Sequence, residues 1–305
     1  MLGFFARRLV QATLTILGVL TVAFFLVRLS GDPTALLLPE AATAQEMEAL
    51  RTELGLDRPI WVQYWVFMSK ALQGDFGNSL RIEASALGLV LERVPATLEL
   101  TLTAFGLGIA LAFAGALTMR LSTNQRLRSV LLWIAFTRQA IPVFWFGLLL
   151  IILFSVTLRW LPSVGRGGIE HLVLPAVTLA TFEIALYLRL LDAAFGEQER
   201  QDYVRTAYAK GQTRMKIVLR HMLPNALLPL VTIAGVNLGI LLGGTVVTET
   251  VFSWPGMGRL IVQAVSQRDY PVVMAGVVVA SFMFVAINFT VDMLYGILDP
   301  RIRYR

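Results

Sequence analysis

Between Tyr270 and Val291 the chain reads YPVVMAGVVVASFMFVAINFTV, 22 residues without one charged side chain. A helix rises 1.5 Å per residue, so a run of this length matches a hydrocarbon core about 30 Å thick. Working outward, the same test finds five further stretches. Leu9 to Val27 and Asn225 to Thr248 are free of charge, and Leu100 to Met119 is nearly as apolar. Ser129 to Leu158 is interrupted by Arg138 and Pro142, and Leu172 to Leu188 carries Glu183. The whole composition agrees: of 305 residues 56% are hydrophobic and 15% charged, with a mean hydropathy of +0.70. A soluble domain carries about 25% charged residues. The expectation is an all-α integral membrane protein of six transmembrane helices, folded as one domain over residues 1–305.

Lysine and arginine gather in the short loops on the cytoplasmic side. Arg7 and Arg8, Arg120 with Arg126 and Arg128, the basic residues from Arg200 to Arg220, and Arg301, Arg303 and Arg305 form one set. Arg159, Arg166, Arg259 and Arg268 fall on the other side, partly balanced by Glu170, Glu249 and Asp269. Both termini are therefore expected in the cytoplasm, and residues 30–94 outside. The first apolar run exceeds the core of a secretory signal and lacks an Ala-x-Ala site, which predicts an uncleaved first helix. The net charge of +6 follows from this topology and from anionic lipid, so no nucleic-acid partner is expected.

Several chemistries have no residues to carry them. The chain has no cysteine, and His171 and His221 stand apart from any ligand spacing, so no metal site is expected. Lys70, Lys210 and Lys216 precede Ala71, Gly211 and Ile217. A phosphate-binding loop needs a hydroxyl in that place. No serine sits in a Gly-x-Ser-x-Gly elbow. Energy for any transport must come from an ATPase partner or an ion gradient.

The external insertion, 30–94, carries helix signals. Thr43-x-x-Glu46 is a capping box for a helix ending near Gly55. Asp57 and Pro59 open another, with Trp61, Tyr64, Trp65, Phe67 and Met68 as an aromatic stripe before Gly74. That stripe fits packing, the lipid interface or a docking surface. On the cytoplasmic side, residues 193–224 offer a short helix from Asp202 closed by Gly211, then a polar helix to Leu223 that Pro224 is expected to stop. Such a pair presents side chains to a cytoplasmic partner or rests on anionic lipid.

Within the spans, Arg138 lies four residues before Pro142, where a kink is expected. A central guanidinium costs at least about 2.5 kcal/mol, so it should face a cavity or pair with an acid such as Glu183. Structural pairing, a gate or substrate contact, and snorkelling to headgroups all remain open for Arg138. Gly235, Gly239 and Gly243 repeat at four-residue spacing, a packing seam within the chain or with a second subunit. Asn237 points to another face and suits a pore lining. Trp254, Pro255, Gly256 and Gly258 supply turn chemistry with an interfacial aromatic. Asp292 and Asp299, beside Arg301, are expected to pair at the interface.

Arg205-Thr-Ala207, three residues, Gly211, nine residues and His221-Met-Leu223-Pro224 resemble the coupling loop of permeases in ATP-binding-cassette importers. That pattern reads Glu-Ala-Ala, three residues, Gly, nine residues, Ile-x-Leu-Pro; Arg205 and Thr206 depart from it, as does His221. Leu54-Gly-Leu-Asp-Arg-Pro59, Gly74-Asp-Phe-Gly77, Pro95-Ala-Thr-Leu98, Phe252-Ser-Trp-Pro-Gly256, Arg268-Asp-Tyr-Pro271 and Leu298-Asp-Pro-Arg-Ile-Arg303 resemble the first permease subunit of dipeptide, oligopeptide, nickel and glutathione importers. The resemblance covers the whole chain. It implies an inner-membrane permease forming half of a translocation path, with a second non-identical permease, two cytoplasmic ATPases and an external substrate-binding protein. Residues 193–224 would be the coupling loop, and the outer loop at Trp254 would help close the outer gate. ATP would act through the partners, with no cofactor and no covalent catalysis in this chain. A self-sufficient secondary transporter or channel, or a membrane scaffold, are the rival classes.

Overall fold

The computed structural model describes residues 2–29, 34, 43–53 and 55–298. Residues 30–33 and 35–42 of the insertion, Leu54, the terminal Asp299, Arg301, Arg303 and Arg305, and the side chains of Arg7 and Asp292 lie outside the described residues. Apart from an isolated bridge between Asn78 and Ser85, every regular element among them is helical. In hydrocarbon each backbone polar group must be satisfied within its own segment, which selects helices for these apolar runs.

The helices are α1 (Leu2–Leu29), α2 (Ala44–Glu53), α3 (Ile60–Ala71), α4 (Ala86–Leu121), α5 (Gln125–Ala140), α6 (Val143–Leu150), α7 (Ile169–Glu199), α8 (Asp202–Ala209), α9 (Arg214–Lys216), α10 (Leu223–Val251), α11 (Met257–Ser266) and α12 (Tyr270–Leu298). Among the described residues five stretches are long and apolar enough to cross a membrane, and a sixth if the bent pair of α5 with Val143–Thr157 is one span.

Two prolines act differently from expectation. At Pro142 the chain does not kink but breaks, the flanking helices meeting at 107°. Proline disfavours helical backbone in the preceding residue, and Ile141 at ψ 124 and Pro142 at ψ 141 are both extended. Pro224, by contrast, stops nothing: the helix is continuous over Arg214–Val251. A π-helical stretch, Ile217–Met222, precedes α10. Its extra residue leaves a carbonyl without a helical donor where proline has no N–H to offer.

The chain forms two compact units. The first comprises residues 1–97 and 255–289. Leu20 and Phe24 of α1, Met68 of α3 and Met274 of α12 form one of its cores. Phe24 stacks on Phe67 at 5.5 Å, and the Tyr64 hydroxyl hydrogen-bonds Thr21 at 2.9 Å. The stripe on α3 thus divides, since Trp61 and Trp65 remain 66% and 69% exposed. The capping box forms as read: the Glu46 N–H donates to Thr43 Oγ1, and the Thr43 N–H to Glu46 Oε2 at 2.8 Å. Asp269 accepts from the Ser79 hydroxyl and the Leu80 N–H.

The second unit holds residues 98–254 and 290–305. Its core joins Ala112 and Ala116 of α4 to Tyr187, Leu191 and Phe195 of α7, and to Val204, Ala207, Ile217 and Met222. Gly108 and Gly115 admit α7 closely, for added Cβ atoms there would lie 3.0 Å from the Glu183 side chain and 3.1 Å from Leu188. Gly235 and Gly239 are buried on α10, whereas Gly243 opens onto free space. Trp254 corrects an expectation. It is 1% exposed, a core side chain rather than an interfacial one, with the backbone N–H of the residue on the Glu249 carbonyl and the Arg166 guanidinium 5.8 Å from its ring. Pro255 and Gly256 open the first unit's share of that loop, Gly256 capping α11 in extended conformation.

Candidate functional site

Helix α8 is short and two-faced. Val204 and Ala207 are buried, while Arg205, Thr206, Tyr208, Ala209 and Lys210 are exposed. Gly211 closes it at φ +70, a conformation that costs a β-carbon-bearing residue about 1 kcal/mol or more. The Gly211 N–H donates to the Tyr208 carbonyl at 2.9 Å and the Gln212 N–H to that of Ala207 at 3.3 Å. These two bonds form a Schellman stop.

Three side chains, Tyr203, His221 and Arg214, fix α8 and its successor in place. Tyr203 donates to Gln198 at the end of α7 and accepts from Asn225 of α10 at 3.2 Å. His221 Nε2 lies 2.8 Å from Gln212 Oε1, so the residue that departs from the permease pattern ties the π segment to the glycine corner. Arg214 Nε donates to the Arg120 carbonyl at 2.8 Å. Pro224 is exposed and Leu223 half-buried. The result is a rigidly held helix presenting one polar face, with Arg205 paired to Asp202 of its own turn.

A second set of expected residues meets in the interior of the same unit. Arg138 is 7% exposed. Its Nε donates to Thr181 Oγ1 at 2.9 Å, one terminal nitrogen to the Ile141 carbonyl at 2.9 Å, and the other to the Thr178 carbonyl at 3.0 Å. The guanidinium also lies 4.2 Å from the Phe146 ring centre. It braces the break at Pro142, binding both of its sides and α7, and the expected pair with Glu183 does not form. The Ile141 carbonyl freed by the break is a strong local demand for a donor, and the Thr178 carbonyl and Thr181 hydroxyl of α7 occupy the rest of the guanidinium fork. Glu183 is 5% exposed and accepts from Asn237 at 3.4 Å, with Tyr187 one turn further along α7 on the same face. The sequence reading missed Gly108, whose absent side chain lets α4 lie against Glu183, and Tyr203, which read only as part of a polar helix. Spacing of Gly108 and Gly115 by seven residues was the available signal for the first.

Residues 104–304 match the family described as "Binding-protein-dependent transport system inner membrane component", and residues 1–112 match its N-terminal companion. The glutathione transport system permease protein GsiC of Escherichia coli strain K12 is 39% identical over 306 aligned positions, covering 100% of both chains. The protein of that name from Shigella flexneri serotype 5b is likewise 39% identical over the full length of both. Among solved structures, an inward-facing form of the MetNI methionine ABC transporter superposes with a TM-score of 0.57 at 20% identity, over 69% of this chain and 96% of that one. A likeness at that identity concerns the fold, and the sequence match carries the rest: the chain belongs to the binding-protein-dependent transport family and is a multi-pass permease subunit of an ATP-driven importer in the bacterial inner membrane.

Proposed function

We propose that this chain forms half of the translocation path of an importer for peptides or a peptide-like solute such as glutathione, with α8 as the helix that receives the stroke of a cytoplasmic ATPase. The substrate class rests on the full-length match to permeases named for glutathione transport. The observation that carries the coupling role is the polar face of α8, held by Tyr203, His221 and Arg214 and closed by Gly211. Two ATPases, an external binding protein and a second, non-identical permease complete the assembly. Both termini and α8 lie in the cytoplasm. Residues 30–94 and the loop at Trp254, Pro255 and Gly256 face outward, where the binding protein delivers its cargo. ATP acts only through the partner subunits.

Glu183 and Asn237 form the polar point of the path, closed in this conformation, and Arg138 with Pro142 sets the angle of the broken helix beside it. The buried Gly235 and Gly239 serve packing within the chain, and the open Gly243 serves the seam with the second permease.

The test is uptake into proteoliposomes holding all subunits and supplied with binding protein. ATP should drive uptake, and Gly211→Pro, which removes both the left-handed corner and its N–H bond, should abolish it while the membrane helices remain folded. Uptake driven by a proton gradient without ATPase subunits overturns the proposal.

A further inference from the structure

We infer that Arg120 is a positioning residue that carries movement of the coupling segment into α4 and α7. The inference rests on the coupling role of residues 193–224 and concerns how that motion leaves them.

Arg120 stands in the last turn of α4 and is 9% exposed. One terminal nitrogen binds Glu199 at 2.9 Å; the other donates to the Asp192 carbonyl at 2.8 Å and approaches the Asp192 carboxylate at 3.5 Å. Both acids belong to the final turns of α7. Asp192 is shared with Arg128 of α5 at 2.9 Å. Gly196 leaves the space the guanidinium occupies, for a Cβ there would come within 3.3 Å of it, and the Phe195 ring lies 5.9 Å away. The last four carbonyls of a helix have no helical donor, and one of them in α4, that of Arg120 itself, is taken by Arg214 Nε at 2.8 Å. Arg214 begins the helix that follows the Gly211 corner. The coupling segment is thus the C-terminal cap of α4, and the residue that it caps holds α7 by two acids.

Four elements therefore meet in one cluster around Arg120: α4, the end of α7 on its guanidinium, the start of α5 through Arg128 on the shared Asp192, and the chain after Gly211 on its carbonyl. The guanidinium groups of Arg120 and Arg128 face the carboxylates of Asp192 and Glu199, while the third guanidinium, that of Arg214, is held by a backbone carbonyl. Arg120 is nearly out of water, where charge-assisted pairs are stiffer than those of the surface. A displacement of α8 acts directly on α7 through its short connection; it reaches α4 through Arg214 and Arg120. Without Arg120 the two long helices lose their link at this end and should no longer move together.

The experiment uses the complete transporter in proteoliposomes and reads ATP hydrolysis and uptake separately. Arg120→Gln is expected to assemble and hydrolyse ATP within about twofold of the unaltered protein while uptake per ATP falls about tenfold or more, a loss within the ordinary range of coupling between sites. Arg120→Lys should recover part of that ratio, and Arg126→Gln, at the exposed second residue of α5, should leave it unchanged. An unaltered ratio in Arg120→Gln overturns the inference. So does a parallel loss of hydrolysis, uptake and thermal stability in both Arg120 variants, which marks a purely structural bridge. Should Arg120→Gln fail to assemble, Glu199→Gln and Asp192→Asn carry the same test with the same expected ratio. Uptake in the unaltered protein that does not require ATP instead overturns the coupling role itself.

Discussion

Removing Arg138 orphans more than it deletes, because the Ile141 carbonyl that it satisfies lies at the break past the end of α5, and the Thr178 carbonyl and Thr181 hydroxyl lose a charged donor with it. Leaving a buried acceptor unmade costs about 1–3 kcal/mol, so Arg138→Met should lower stability by about 3 kcal/mol, read as a fall in the melting temperature of the solubilised complex. Arg138→Lys should recover only part of that loss, since one ammonium cannot reach both carbonyls and Thr181 in the fork geometry of a guanidinium. Uptake should fall in step with stability in both variants. A variant with normal stability and abolished uptake would instead place the guanidinium on the substrate. The sequence showed that a cation at this depth needs partners, but it could not show which. Backbone carbonyls are present at every residue and leave no mark in the text, whereas Glu183 was visible and drew the expectation toward itself.

At the scale of single helices, local chemistry was legible and shape was not. Thr43 with Glu46, Gly55, Gly74 and Gly211 lie where the helix ends require them, the three glycines at φ +66, +77 and +70, because a cap depends on a handful of neighbouring residues. The 107° break at Pro142 and the unbroken passage through Pro224 were not legible. Both depend on what the freed carbonyls find, in one case Arg138 and in the other a π turn. Burial of Trp254 also escaped, since it is decided by distant packing. Two outcomes follow at this scale. Gly211→Ala should cost about 1 kcal/mol through its left-handed backbone alone, because its new methyl group meets nothing within 4 Å; coupled uptake should survive it at a reduced rate, unlike Gly211→Pro. In α2, the Thr43 N–H and then its hydroxyl hold the Glu46 carboxyl below its ordinary value of 4.5. A carboxylate whose folded value is depressed stabilises the fold above its unfolded value, and that contribution is lost as pH falls through the folded one. Amide exchange in α2, corrected for intrinsic rates, should therefore quicken in acid below the ordinary glutamate range, and Glu46→Gln should abolish this pH dependence.

For the whole molecule the open quantity is a parity. Among the described residues five stretches are long enough to cross the membrane, and a sixth is counted if α5 and the segment Val143–Thr157, bent by 107°, pass through together rather than return to the side they left. With six crossings both termini share a side, the arrangement expected from the arginine distribution; with five they do not. Lys70 at the end of α3 and Lys210 at the end of α8 are both exposed, and between them lie α4, the bent pair and α7. If the pair crosses, three spans separate the two lysines and they face opposite sides. If it re-enters, two spans separate them and they face the same side. The absence of cysteine from the sequence makes the distinction measurable, since Lys70→Cys and Lys210→Cys each introduce a lone thiol. In intact cells a membrane-impermeant maleimide should label Lys70→Cys and spare Lys210→Cys until the membrane is opened. Labelling of both from outside, or of neither, would make the pair re-entrant; labelling of Lys210→Cys alone would invert the chain and place α8 beyond the reach of any cytoplasmic ATPase.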